Sequence, residues 1–183
     1  MEAPRLQSLA DIEAAVWREL GLAVRAKDHA WRVAVLATVD GEAADARNVV
    51  LRDFDAASRT LLIYTDARSP KAHQVAAHPR GMLVLWSAAL GWQLRLPVAL
   101  TLETSGLRVS SRWARLKLTP AAQDYLSPLP PGAPLGSVPP QRESREHFAV
   151  LAAQVQSVDW LELHAQGHRR ARFDAAGAAW IAP

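Results

Sequence analysis

The stretch that decides the fold reads Arg47-Asn-Val-Val-Leu-Arg-Asp-Phe-Asp55, then Leu61-Leu-Ile-Tyr-Thr-Asp66, then Ala67-Arg-Ser-Pro-Lys-Ala-His-Gln74. Asn48 to Leu51 is a short β-branched and apolar run framed by Arg47 and Arg52, and Leu61 to Tyr64 is a second such run beyond the turn-like Asp-Ala-Ala-Ser. Two strands of a hairpin are predicted. Ser69 offers a side-chain oxygen at an N-cap position, and Pro70 suits the first helical position because its missing N–H would be unpaired there anyway. A helix over Lys71 to His78 follows. Its start lies directly after a strand, where free N–H groups and the positive end of the helix dipole favour an anion. Arg68, Ser69 and Lys71 add two cations and a hydroxyl there, and Arg47 brings a guanidinium suited to bidentate phosphate contact. Any one of these cations alone reads as a solvated strand flank. As a set they predict a phosphate site.

Working outward, Ser8 with Asp11 three residues later forms a capping-box pattern, and Ile12, Val16, Leu20 and Val24 recur at helical spacing up to about Lys27. Trp17 and Trp31 flank that packing face as core or interface aromatics. Arg32 to Val39 is β-rich, and Asp40-Gly41 is a hairpin signal leading back into Arg47. Downstream, Met82 to Trp86 and Leu90 to Thr104 read as strands. In the second, Gln93 and Arg95 share a face, and Pro97 marks a bulge or edge. Short helices are predicted from Ser110 and from Thr119-Pro120 through Leu126. The run Pro-Leu-Pro-Pro-Gly-Ala-Pro-Leu-Gly-Ser-Val-Pro-Pro, ending at Pro140, is then a long loop over a barrel mouth or a subunit seam. A helix is predicted over Arg142 to Gln156, with Phe148, Leu151, Ala152 and Val155 on one face. Strands at Val158 to His164, Arg169 to Phe173 and Ala178 to Ile181 finish the chain, the last expected to close the barrel.

With 183 residues, half of them apolar, the chain suits one well-buried domain spanning 1–183. It has no cysteine, which excludes disulfides and thiolate metal sites, so redox chemistry would need a bound cofactor. Neither a signal-like N-terminus nor an apolar run long enough to cross a bilayer is present, and a soluble cytoplasmic protein is expected. The net charge is +3, with scattered arginines and no aromatic platform, which argues against nucleic acid as a partner. His73 and His78 lack companions at metal-ligand spacing, so no metal site is expected. The signatures of P-loop, Rossmann, zinc-protease and serine-hydrolase sites are missing.

The order Arg-x-Val-x-Leu-Arg, Tyr-Thr-Asp and Ser-Pro-Lys-Ala-His-Gln, followed by Leu-Gly-Trp-Gln-Leu-Arg-Leu around Gln93, resembles the FMN-binding core of the pyridoxamine 5′-phosphate oxidase family. The resemblance implies a mainly β fold with flanking helices. It would be a six-stranded antiparallel split β-barrel that forms a homodimer with FMN at the subunit interface. It also implies that Arg47 and Lys71 bind the FMN phosphate, with Arg68 and Ser69 beside them. Asn48, Val49, Val50 and Leu51 would lie along the flavin, with Arg52 at the edge facing substrate. Tyr64 and Thr65 would contact the ring or ribityl chain. Gln93, Gln141 and Arg172 would supply further flavin contacts.

The substrate half departs from the family pattern. Tyr125 matches a tyrosine that holds the phosphate of the pyridoxal substrate, but Leu129 and Ala133 stand where an arginine and a serine belong. The closing Arg-x-His-Asp-Arg appears as His-Arg-Arg-Ala-Arg from His168 to Arg172, leaving His168 as the available substrate-side histidine. Losing several charge-assisted contacts, each worth roughly 1.5–3 kcal/mol, would remove most affinity for phosphorylated vitamin B6. The resemblance therefore implies an FMN-dependent oxidoreductase acting on a different small substrate. One alternative is a pyridoxamine or pyridoxine 5′-phosphate oxidase with a rearranged substrate site. Another is a non-catalytic flavin or haem binder, for which His164 or His168 would be the axial ligand.

Overall fold

The computed structural model describes residues 5–136 and 145–183. Six strands close an antiparallel barrel: β1 (Val33–Asp40), β2 (Ala43–Asp55), β3 (Thr60–Asp66), β4 (Arg80–Ser87), β5 (Trp92–Glu103) and β6 (Phe148–Val155). They run in the order β4-β1-β2-β3-β6-β5, and a β4–β5 pairing completes the ring. The barrel is split along β5. Residues 92–95 of that strand pair with β7 (Val158–Glu162), whereas 98–103 pair with β6. Pro97 sits at the change of partner. It has no N–H to give to a ladder, and its carbonyl accepts from the N–H of Gln156, so the edge role read from the sequence becomes the branch point of the sheet.

Helix α1 (Leu9–Ala23) begins as its capping pattern predicts: Ser8 Oγ accepts from the N–H of Asp11 at 3.0 Å and donates to Asp11 Oδ2 at 2.6 Å. Its face of Ile12, Val16 and Leu20 joins the barrel interior in one core with Trp31, Leu36, Leu51, Ile63 and Leu94. Within that core, Trp92 stands edge-on to Trp160, with ring centroids 5.4 Å apart. Helix α2 (Pro70–Ala77) packs against β1 and β5, burying Ala72, Gln74 and Val75. A second core lies outside β3 and β6. There α3 (Gly106–Leu116) and a 3₁₀ turn at Pro120–Tyr125 bring Val109, Trp113, Leu116 and Ala122 onto Phe148, Val150 and Ala152.

Two sequence expectations are corrected. The predicted helix over Arg142 to Gln156 is, from Phe148, the strand β6, while 142–144 lie outside the described residues. Leu151, Ala153 and Val155 face the barrel core and Phe148, Val150 and Ala152 face the second core, so both sides are apolar and the two-residue alternation disappears. The C-terminus does not close the barrel either. Strands β7, β8 (Arg169–Asp174) and β9 (Gly177–Ile181) extend from the split half of β5 as a meander, and β9 is its exposed outer edge. The barrel is already closed by β4, paired with β1 on one side and β5 on the other.

Candidate cofactor site

Arg47, Val49 and Leu51 have the same parity on β2, so the inward strand face that buries Val49 and Leu51 delivers Arg47 to the barrel rim. There it meets Thr38 of β1 and Gln74 of α2. Arg47 Nη1 donates to the Leu36 carbonyl at 3.1 Å and to Thr38 Oγ1 at 2.6 Å, and Nη2 donates to Gln74 Oε1 at 2.9 Å and to Asp45. Thr38 Oγ1 in turn donates to Gln74 Oε1 at 2.5 Å, and Gln74 Nε2 donates to Asp45 Oδ2 at 2.8 Å. The hydrogen bonds from Gln74 and Arg47 hold the Asp45 carboxyl below its usual range.

On the same rim, Lys71 Nζ donates to Thr65 Oγ1 at 3.1 Å, and Thr65 Oγ1 lies 3.2 Å from Ser69 Oγ. Ser69 is the N-cap residue, as predicted, but its hydroxyl makes no cap bond and instead points to Thr65. Burial, with the neighbouring Arg47 charge second, lowers the Lys71 ammonium from its usual range. An ammonium so placed, beside two buried hydroxyls and a helix start, has the donor set that a phosphate ester takes.

Arg68 does something the sequence did not suggest. Its guanidinium forks onto Asp66, with Nε to Oδ1 at 3.1 Å and Nη2 to Oδ2 at 2.7 Å, and it also donates to the carbonyls of Ser127, Pro128 and Leu129. It ties the proline-rich loop to the turn before α2 and has little donor capacity left for a phosphate.

A second group forms where β2 carries a bulge. Leu51 pairs with Ile63 and Asp53 with Leu62, leaving Arg52 as the extra residue and turning its side chain away from the ladder. Arg52 lies over the Tyr64 ring at 5.7 Å, and its Nη2 reaches Tyr125 Oη at 3.5 Å. Its Nε is buried and has no hydrogen-bond partner among the described residues. Tyr64, Tyr125 and Phe148 pack edge-on at 5.3–6.4 Å, and burial raises both tyrosine hydroxyls above their ordinary value.

A third group lies on the barrel's outer face. Cross-strand register aligns Asn48, Val35, Val84, Arg95, Asp159 and Arg172 in one continuous rung across β2, β1, β4, β5, β7 and β8. Gln93, opposite Trp86, and Val50, opposite Val33, point the same way. Val33, Val35 and Trp86 leave an exposed apolar surface around them. Arg172 is exposed and pairs with Asp174 at 2.9 Å.

The fold thus brings Arg47, Thr65, Ser69 and Lys71 to one rim, Arg52, Tyr64 and Tyr125 to the bulge, and Asn48, Val50, Gln93 and Arg172 to one outer face. His168 stands apart on the exposed β7–β8 turn, where its Nδ1 accepts from the N–H of His164 at 3.2 Å. Gln141 lies outside the described residues. Thr38, Asp45 and Gln74 were missed by sequence reading. Asp45 shares a strand face with Arg47, and Gln74 falls on the helix one turn from Lys71, so spacing alone could have flagged both.

Residues 14–102 match the sequence model of the pyridoxamine 5′-phosphate oxidase, FMN-binding domain family. A pyridoxamine 5′-phosphate oxidase-related, FMN binding protein from Nostoc punctiforme is 26% identical and superposes over 97% of this chain and 98% of its own, with a TM-score of 0.75. The likeness to this family covers 89 of the 183 residues. The chain is also 34% identical over 80 residues to pyridoxine/pyridoxamine 5′-phosphate oxidase of Trichormus variabilis, a match covering 44% of this chain and 36% of that relative's length. PhzG from Burkholderia lata, solved in complex with tetrahydrophenazine-1-carboxylic acid, shares the fold over the whole of both chains at 13% identity and a TM-score of 0.76. The family match contains the rim residues, the bulge and Gln93. It ends before α3, so Tyr125, His168 and Arg172 lie beyond it.

Proposed function

We propose that this chain is an FMN-binding flavoprotein, acting as an oxidoreductase on a small substrate and working as a homodimer. The observation that carries the reading is the rim: Arg47, Lys71, Thr65 and Ser69 converge at the start of α2, inside the stretch that matches the family. Arg47 and Lys71 hold the FMN phosphate, and the two hydroxyls orient it. The backbone of Val49 to Leu51 would lie along the ring, and Arg52, re-aimed by its bulge, would supply a cation at the ring edge and toward substrate. Bound FMN would supply the redox chemistry, hydride exchange between a substrate carbon and the flavin ring.

The pairing of subunits rests on the outer face. Gln93 and Arg172 stand on a surface that also exposes Val33, Val35 and Trp86, and a second subunit would bury this apolar area against the flavin. Pyridoxine phosphate is disfavoured as substrate. Leu129 occupies the position where the resemblance calls for a guanidinium, and its carbonyl is taken by Arg68. Titration of the apoprotein with FMN, together with sedimentation of the loaded protein, tests the proposal. Saturable FMN binding to a dimer is expected; absence of binding, or a monomer holding FMN tightly, would count against it.

A further inference from the structure

We infer that Asp45 is an internal competitor for the phosphate, lowering the preference of this site for a phosphorylated flavin over an unphosphorylated one; this rests on the FMN reading above. The four terminal N–H groups of Arg47 are all engaged, by Leu36, Thr38, Gln74 and Asp45. A phosphate oxygen can therefore bond to either Nη of Arg47 only by displacing one of them. Three are poor candidates. The Leu36 carbonyl belongs to a strand, and Thr38 and Gln74 are buried and bonded to each other. Asp45 is the one that water can receive, since its side chain is 43% exposed against 20% for Arg47.

Asp45 also sets the charge of the rim. The charged groups that face it are Arg47, on its own strand, and Lys71 on α2; Thr38, its register partner on β1, and Gln74 on α2 are neutral. Asp66 also acts on Lys71 but is neutralised by Arg68, so two cations and one carboxylate leave a single net positive charge for a phosphate that is nearly dianionic at neutral pH. The carboxylate weakens the site twice, by occupying a donor of Arg47 and by repelling the ligand. A flavin that ends in a hydroxyl meets neither penalty, because it need not displace Asp45.

FMN and riboflavin titrations, followed by quenching of flavin fluorescence, test this on wild type, Asp45→Asn, Arg47→Ala and the double variant, with melting temperatures checking that each is folded. Removing a like charge at contact range corresponds to about a tenfold change in binding. Asp45→Asn is expected to tighten FMN by about that factor, to leave riboflavin unchanged, and to keep only the smaller, repulsive part of its effect when Arg47 is alanine. Asp45→Ala provides a second variant that cannot hydrogen-bond. If both variants shift FMN and riboflavin equally, or weaken FMN, the competitor role is overturned while the FMN reading stands. If wild type and all variants ignore FMN, both fall.

Discussion

Arg68 and Asp66, two residues apart, face each other as a forked ion pair, and the same guanidinium collects the carbonyls of Ser127, Pro128 and Leu129. A local turn before α2 and the start of a proline-rich loop about sixty residues away are thus fixed by one side chain. Replacing Arg68 with leucine would leave a nearly buried carboxylate and three carbonyls short of a donor. A loss of about 1–3 kcal/mol in stability to urea is expected.

The same pair makes an acid-stability prediction. Burial alone would raise the Asp66 carboxyl, but the hydrogen bonds and charge of Arg68 outweigh it, and the group sits below the ordinary 3.8. A depressed aspartate contributes stability that is fully present above its unfolded value and is lost as pH falls through its folded value. Wild type should hold this contribution at pH 5 and lose it below 3.8. In Arg68→Leu the acid-unfolding midpoint, followed by circular dichroism, should move to higher pH.

Gly91 joins β5 to the C-terminal meander under tight constraint. Its φ is +65°, a Cβ there would lie 2.7 Å from the Leu163 carbonyl, and its own carbonyl accepts from the N–H of Leu163 at 2.7 Å. Gly41 has a similar φ of +61° but open space around it. Gly91→Ala should therefore cost more than Gly41→Ala. The second carries only the left-handed penalty of about 1–2 kcal/mol, and the first adds displacement of a backbone contact. Equal losses in chemical denaturation would show that the close approach is unimportant.

Much of this architecture was legible in the sequence because the informative segments are local. Ser8 with Asp11, Asp40-Gly41 and Ser69-Pro70 each specify a cap or turn within four residues, and β2 and β3 carry their strand character in short runs. What escaped depends on distant partners. Strand β6 looked helical because α3 and the 3₁₀ turn cover its outer face, erasing the alternation. The place of β9 at an edge depends on β4 having closed the ring. In the site, cations could be named from the sequence, but not how each is spent. Arg68 went to a loop 59 to 61 residues on, and Arg47 to Asp45 two residues before it, in a net that Gln74 completes from 27 residues away.

The double covering of β6 can be tested directly. On a strand buried on one face, adjacent truncations differ sharply; here Val150 and Leu151 point to different cores and are both fully buried. Val150→Ala and Leu151→Ala should each destabilise by more than about 1.5 kcal/mol in denaturant titrations. Gln154→Ala, at the exposed position of the strand, should stay within about 0.5 kcal/mol. A small effect at Val150 would mean that α3 does not seal the outer face.

The most direct test of the central claim is the visible spectrum of the purified protein, followed by FMN titration of apoprotein from wild type, Arg47→Ala and Lys71→Ala. Flavin bands are expected, with FMN binding weakened more than about tenfold in each variant, since each removes a charge-assisted phosphate contact. A protein that takes up no FMN, or one whose FMN affinity is indifferent to both Arg47 and Lys71, would contradict the account.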